Sequence, residues 1–152
     1  MKTLTALFAA LVLTMSLSAR AGLTDLEAIS LIESGGNDYA VGDAGEVSRY
    51  QILPKVWRSY TRSHEYQNRW LAGEVAKRHL STLQQSFQRE AGRAPGDFEL
   101  YVLWNAGLDY YRRHGFSPRR VASTIRERAD RFVNLKNYLT PNRHTEQARV
   151  GN

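Results

Sequence analysis

The chain has 152 residues, a formal net charge of +6 and no cysteine. That length holds one ordinary domain with a core able to stand without disulfides, and the missing thiol excludes a disulfide scaffold, a thiolate zinc site, a cysteine nucleophile and a lipidated cysteine. The charge excess is mild and suits an anionic partner such as cell wall, but basic residues are not interleaved with aromatics as a single-strand platform needs, so no nucleic acid is expected.

Lys2 precedes an apolar run from Leu4 to Leu17, which ends in Ala19-Arg20-Ala21, a small-x-small site of the kind signal peptidase reads. Residues 1–21 are therefore read as a signal peptide, too short for a stable transmembrane anchor. Residues 22–152 form the expected mature domain, exported to the periplasm or cell envelope. Without Lys2 and Arg20, 19 basic side chains face 15 acidic ones.

Helical periodicity dominates the rest, and no alternating run is long enough to anchor a sheet, so the expected class is mainly α. A first helix starts at Thr24, with Glu27 completing a capping box and Leu26, Ile29 and Ile32 forming one stripe; Gly35-Gly36 ends it. Tyr39 to Gln51 reads as a loop or small irregular hairpin, followed by a short helix opening at Pro54 and carrying Val56, Trp57 and Tyr60. The spacing predicts a longer helix from Tyr66 to Glu90, with Gly73 as a point where its stripe bends. Phe98 to Asn105 is a strongly apolar helical segment stopping at Gly107, which suits the centre of the domain. Ser117-Pro118 supplies an N-cap and first-turn pair for the last helix, whose stripe runs Val121, Ile125, Phe132, Leu135 and Leu139. The tail after Pro141 is polar. Nothing repeats, and no linker divides the chain.

Glu33 follows Ile32 on the first helix, at the edge of the apolar stripe. Partial burial and the negative end of the helix dipole both disfavour a charged carboxylate there, and a carboxyl that keeps its proton is what protonating a glycosidic oxygen requires. The bland alternative is a helix end with a glycine cap. Beyond it, Gly42 and Gly45 let a backbone fold closely around the acid, Ser48, Tyr50 and Gln51 offer hydroxyl and amide groups to a sugar, and the Tyr50 ring offers a face for stacking. Far along the chain, Asn105-Ala106-Gly107 ends the apolar helix with a polar side chain followed by small ones.

These pieces, in order, resemble the lysozyme-like lytic transglycosylases of bacterial cell walls. The resemblance rests on Glu33-Ser34-Gly35-Gly36, then Gly45 to Ile52 with Pro54 and Trp57, then Asn105-Ala106-Gly107, then an Arg-rich terminal helix. It implies a lysozyme-like fold, a helical domain with the irregular loop or small hairpin lining the active-site cleft. It implies cleavage of the β-1,4 bond between N-acetylmuramic acid and N-acetylglucosamine in peptidoglycan glycan strands. Glu33 would act alone, first as acid and then as the base that directs the sugar's C6 hydroxyl onto C1, leaving 1,6-anhydro ends, with the muramic N-acetyl group assisting departure. Ser34, Ser48, Gln51, Tyr50, Asn105, Ala106 and Gly107 match positions near the acid or the sugar. No cofactor is implied, and the expected state is a monomer, with an envelope or secretion-apparatus partner as a recruiting hypothesis.

This chain departs from the commoner members in three places, which suggests a divergent branch. Ser48-Arg49-Tyr50-Gln51 stands where they carry Leu-Met-Gln, Leu108-Asp109 follows the Asn-Ala-Gly, and Arg128 occupies the place where their last helix often carries a tyrosine. Hydrolysis by a muramidase is the rival chemistry and needs a second carboxylate, for which Glu46 is the first candidate, ahead of Asp38, Asp43 and Asp109. A non-catalytic wall-binding or assembly protein on the same fold is the rival of another kind. The histidines lack ligand spacing, so no metal is expected; Trp57, Trp70 and Trp104 read first as core, although Trp104 sits beside Asn105.

Overall fold

The structure, a computed structural model, describes residues 23–138. The segment read as a signal peptide, Leu139 and the tail beyond Pro141 lie outside them. Within the described residues the chain is mainly helical: α1 (Asp25–Ser34), α2 (Pro54–Trp57), α3 (Arg69–Ala91), α4 (Asp97–Ala106), α5 (Leu108–Arg113) and α6 (Ser123–Tyr138), with a 3₁₀ turn at Pro118–Arg120 before α6. No helix among them is long and apolar enough to cross a membrane.

α1 forms where its caps predict. The Thr24 hydroxyl accepts from the Glu27 N–H at 3.3 Å, the Glu27 carboxylate takes the Thr24 N–H at 2.8 Å, and Gly35 at φ 65° closes the far end. Ile29 and Ile32 are buried, so the stripe is a core face. α2 opens at Pro54 and buries Trp57, whose indole N–H donates to the Ser63 carbonyl at 2.7 Å.

Three expectations shift. α3 begins at Arg69 rather than Tyr66, because the Asn68 side chain accepts the Leu71 N–H at 3.0 Å and so fixes the N-cap there. Trp70 then lies on the outer face, 74% exposed, and is not a core residue. α6 begins at Ser123, not at Ser117-Pro118: Ser117 makes no side-chain cap, the Val121 N–H closes the 3₁₀ turn onto Pro118, and Val121 itself is extended. The third shift is α5, a helix absent from the periodicity reading. It is only six residues long, and α4 restarts as α5 across Gly107, whose φ of 81° is rarely open to a residue bearing a Cβ.

α4 is the central element. Leu100, Tyr101, Val102 and Leu103 are all buried, an apolar surface on every side that only a surrounded helix can carry. It packs most extensively on α6, and also on α3 and α5. Two polar clamps tie the helix starts. The Lys136 ammonium, on α6, donates to Asp25 at 2.6 Å and to Asp97 at 2.5 Å, joining the first turns of α1 and α4. Glu99, buried on α4, accepts from both terminal guanidinium nitrogens of Arg93 at 2.6 Å, from the Gly96 N–H at 2.9 Å and from the Tyr111 hydroxyl at 3.1 Å.

Between α1 and α2 the chain makes two tight turns that share one residue. Val47 bridges antiparallel to Val41 on one side and to Ile52 on the other. This is the small irregular hairpin expected, and it brings residues 42–51 back across the C-terminal end of α1.

Candidate active site

Glu33 stands in the last turn of α1, next to the start of that folded loop. Its side chain is 6% exposed. The Tyr101 hydroxyl, reaching from α4, donates to Oε1 at 2.6 Å, and Arg128 Nη1, from α6, donates to Oε2 at 3.3 Å. Burial, and then the Glu33 carboxylate beside it, push the Tyr101 phenol far above its ordinary range, so it remains a donor at any ordinary working pH. Three helices thus meet on one carboxylate.

The carboxylate faces an open cavity of about 300 Å³. Gly42, Asp43, Glu46 and Gln51 from the loop form one wall; Trp104 and Asn105 from the end of α4 form another, with Arg128 at the rim. A smaller recess of about 120 Å³ continues from it, sharing Glu46, Gln51, Trp104 and Asn105 and adding Ile52, Leu53, Val56 and His79. The first chamber is polar and acidic, the second more apolar. His79 accepts or donates at Nδ1 with the Tyr60 hydroxyl at 3.1 Å, its ring lies edge-on to Trp104, and burial lowers its pKa, which favours the neutral ring.

Local geometry explains how the loop presents these groups. At Gly42 a Cβ would meet the ends of two side chains, colliding with Glu46 Oε2 and lying 2.5 Å from Gln51 Oε1 unless they shift. Its absence lets the two polar ends converge on the cavity. Ser48 and Gln51 hold φ values of 66° and 50°, left-handed conformations that cost a non-glycine residue about 1 kcal/mol or more each. The two Val47–Ile52 hydrogen bonds, 2.9 and 3.0 Å, impose that turn. Behind the loop, Arg49 Nε donates to Asp38 at 2.6 Å and its Nη2 to the Gly36 carbonyl at 2.6 Å, pinning it to the end of α1.

The sequence-named residues divide. Glu33, Glu46, Gln51 and Asn105 line the cavity together. Ser34 does not: its hydroxyl donates to the Arg49 carbonyl at 2.8 Å and accepts the Asn37 N–H at 3.1 Å, a joint between helix and loop. Ser48 is 1% exposed and accepts the Tyr50 N–H at 3.3 Å, so its hydroxyl is spent inside the turn and cannot reach a sugar. Tyr50 is buried with its ring edge-on to Trp104 and offers no stacking face. Ala106 and Gly107 end α4 and seat α5 without lining the cavity.

Tyr101 and Arg128 are the residues sequence reasoning does not assign to the site. Tyr101 sits one helical turn before Asn105, hence on the same face, a spacing that could single it out. Arg128 is visible in the sequence only as a departure from the tyrosine expected there. Trp104, by contrast, is both half-buried and cavity-lining. Among the described residues no group of three or more His, Asp or Glu side chains is placed to hold a metal ion.

Compared with known proteins, the chain matches no protein-family model, no curated protein and no solved structure.

Proposed function

We propose that this chain is a lysozyme-like lytic transglycosylase of a divergent branch, exported to the cell envelope, which cuts peptidoglycan glycan strands without a cofactor. The observation that carries the reading is Glu33: a carboxyl group with a 6% exposed side chain, fixed at one oxygen by Tyr101, facing an open polar cavity opposite Gln51 and Asn105. Burial and a rigid partner give an acid a defined direction, which proton transfer to a glycosidic oxygen needs. The Gln51 and Asn105 amides can hydrogen-bond a sugar's hydroxyl or N-acetyl groups, and the apolar recess beside Trp104 can take a methyl or ring face.

In this reading Glu33 protonates the bridging oxygen, the bond to C1 breaks, and the same carboxylate then takes the proton of the C6 hydroxyl as that oxygen closes onto C1. Proton and leaving group balance without an added water. One observation favours the hydrolytic alternative: Asp43 and Glu46 line the same chamber as Glu33, so a second carboxylate is available to activate water.

Mass spectrometry of the soluble products from purified protein and peptidoglycan separates the two. Muropeptides lighter by one water, absent with Glu33→Gln, support the transglycosylase. Hydrated reducing ends that vanish with Glu46→Gln or Asp43→Asn support the muramidase. Binding with no released product from folded wild type leaves the wall-binding alternative.

A further inference from the structure

The two donors on Glu33 are unequal, and the inequality bears on what the cleft accepts. Tyr101 is fully buried and its 2.6 Å bond is short. Arg128 has a side chain 47% exposed, reaches Glu33 through one 3.3 Å bond, longer than that of Tyr101, and also lies beside the Tyr101 hydroxyl. Its long stem can swing without disturbing α6.

Both Glu33 oxygens accept hydrogen bonds in this arrangement. A guanidinium only donates, so Arg128 holds one of the acceptor positions of Oε2. Departure of Arg128 frees that position and opens Oε2 toward the cleft. The other ionisable residues lining the chamber, Asp43 and Glu46, are acidic. A ligand carboxylate entering this chamber is repelled by both and has one complementary wall group, Arg128. An arginine fork binds a carboxylate through two parallel bonds, a better geometry than the one contact it holds with Glu33.

We propose that Arg128 is a specificity-determining positioning residue: it caps Glu33 Oε2 in the free protein and exchanges it for a carboxylate on the incoming glycan strand. Resting on the transglycosylase reading, the exchange couples substrate recognition to release of the acid. The carboxylate has two sources in such strands, the lactyl group of muramic acid once its peptide is removed, and the free carboxyls of the peptide stem. A neutral strand of the same length leaves Arg128 on Glu33.

The test uses three strand preparations: native, peptide-stripped by an amidase, and native with its carboxyls converted to methylamides. Relative kcat/KM is measured for wild type, Arg128→Gln and Arg128→Lys, and calorimetric affinity for the same strands with Glu33→Gln and its Arg128→Gln double variant. The expected result is a wild-type preference for carboxylate strands over methylamidated ones of about tenfold, lost in Arg128→Gln and partly kept in Arg128→Lys. Preference for stripped strands assigns the lactyl carboxylate; preference for native strands alone assigns the stem. Equal rates and affinities on native and methylamidated strands for wild type, or an undiminished preference in Arg128→Gln, overturn the proposal while leaving the transglycosylase standing. Should no strand be cleaved, the affinities still decide: a carboxylate preference that Arg128→Gln abolishes keeps this site while the activity falls. If Arg128→Gln does not fold, the wild-type comparison together with Arg128→Lys decides in its place.

Discussion

Two buried carboxylates, Glu33 and Glu99, are each held by a tyrosine and an arginine, yet they are finished differently. In the first turn of α4, Glu99 accepts four hydrogen bonds from Arg93, Gly96 and Tyr111. Burial alone would raise its pKa, but these donors outweigh it and hold the carboxyl below its usual value. Glu33 has one short bond, one long one and an open chamber in front of it. The same residue types build a structural clamp where the donor shell is complete and, in the proposed reading, an acid where it is left open. Charge saturation, rather than burial, distinguishes the two.

The largest effect expected of that distinction is at Glu33. Glu33→Gln should lower turnover on peptidoglycan by about a thousandfold, in the range of general acid catalysis, while thermal denaturation stays near wild type; a variant with near wild-type turnover would end the assignment. Next, Tyr101→Phe removes the fixed donor without changing shape, so kcat should fall by about tenfold to hundredfold with KM little changed. A rise in KM alone would mean that Tyr101 serves the substrate rather than the acid.

The converse belongs to Glu99. Glu99→Gln should cost about 2 kcal/mol of stability in urea denaturation, with activity per folded molecule retained. The sign with pH follows from the lowered pKa: the unfolded chain binds the proton more tightly, so the contribution of Glu99 is present above about pH 4.3 and is lost as pH falls through the depressed folded value. Wild type should lose stability across that acid window more steeply than Glu99→Gln, and parallel curves would break the comparison. The smallest effect is at Gly42. Its backbone is ordinary, and an added methyl meets only the flexible ends of Glu46 and Gln51, so Gly42→Ala should leave stability within about 0.5 kcal/mol. Crowding of the chamber wall should still cut kcat/KM by about tenfold.

Local signals are readable from the sequence and distant ones are not. The Thr24–Glu27 box, the glycine after Ser34 and Pro54 each act within a few residues, and each stands where expected. Periodicity starts α3 too early and places Trp70 inside, because a stripe extended through Tyr66 carries no information about which polar side chain caps the helix. Residue type and order suffice to find Glu33, Glu46, Gln51 and Asn105. They fail at Ser48 and Tyr50 because a turn with two left-handed residues reverses which side chains face out, and no residue there is glycine to announce it. The Tyr101 and Arg128 contacts, 68 and 95 positions from Glu33, arise only when helices pack.

The Lys136 clamp has a consequence for how the molecule comes to exist. It closes Asp25 onto a residue 111 positions later, and α6 also delivers Phe132 to the core. Closing so long a loop costs entropy before any contact repays it, which slows folding relative to helical proteins of local contact. A chain emerging from its N-terminus can form α1 and the loop after it, but their cleft lacks its second wall until α4 arrives and the Arg128 rim until the last helix docks. The protein should therefore become protease-resistant in one late step, as its final helix docks.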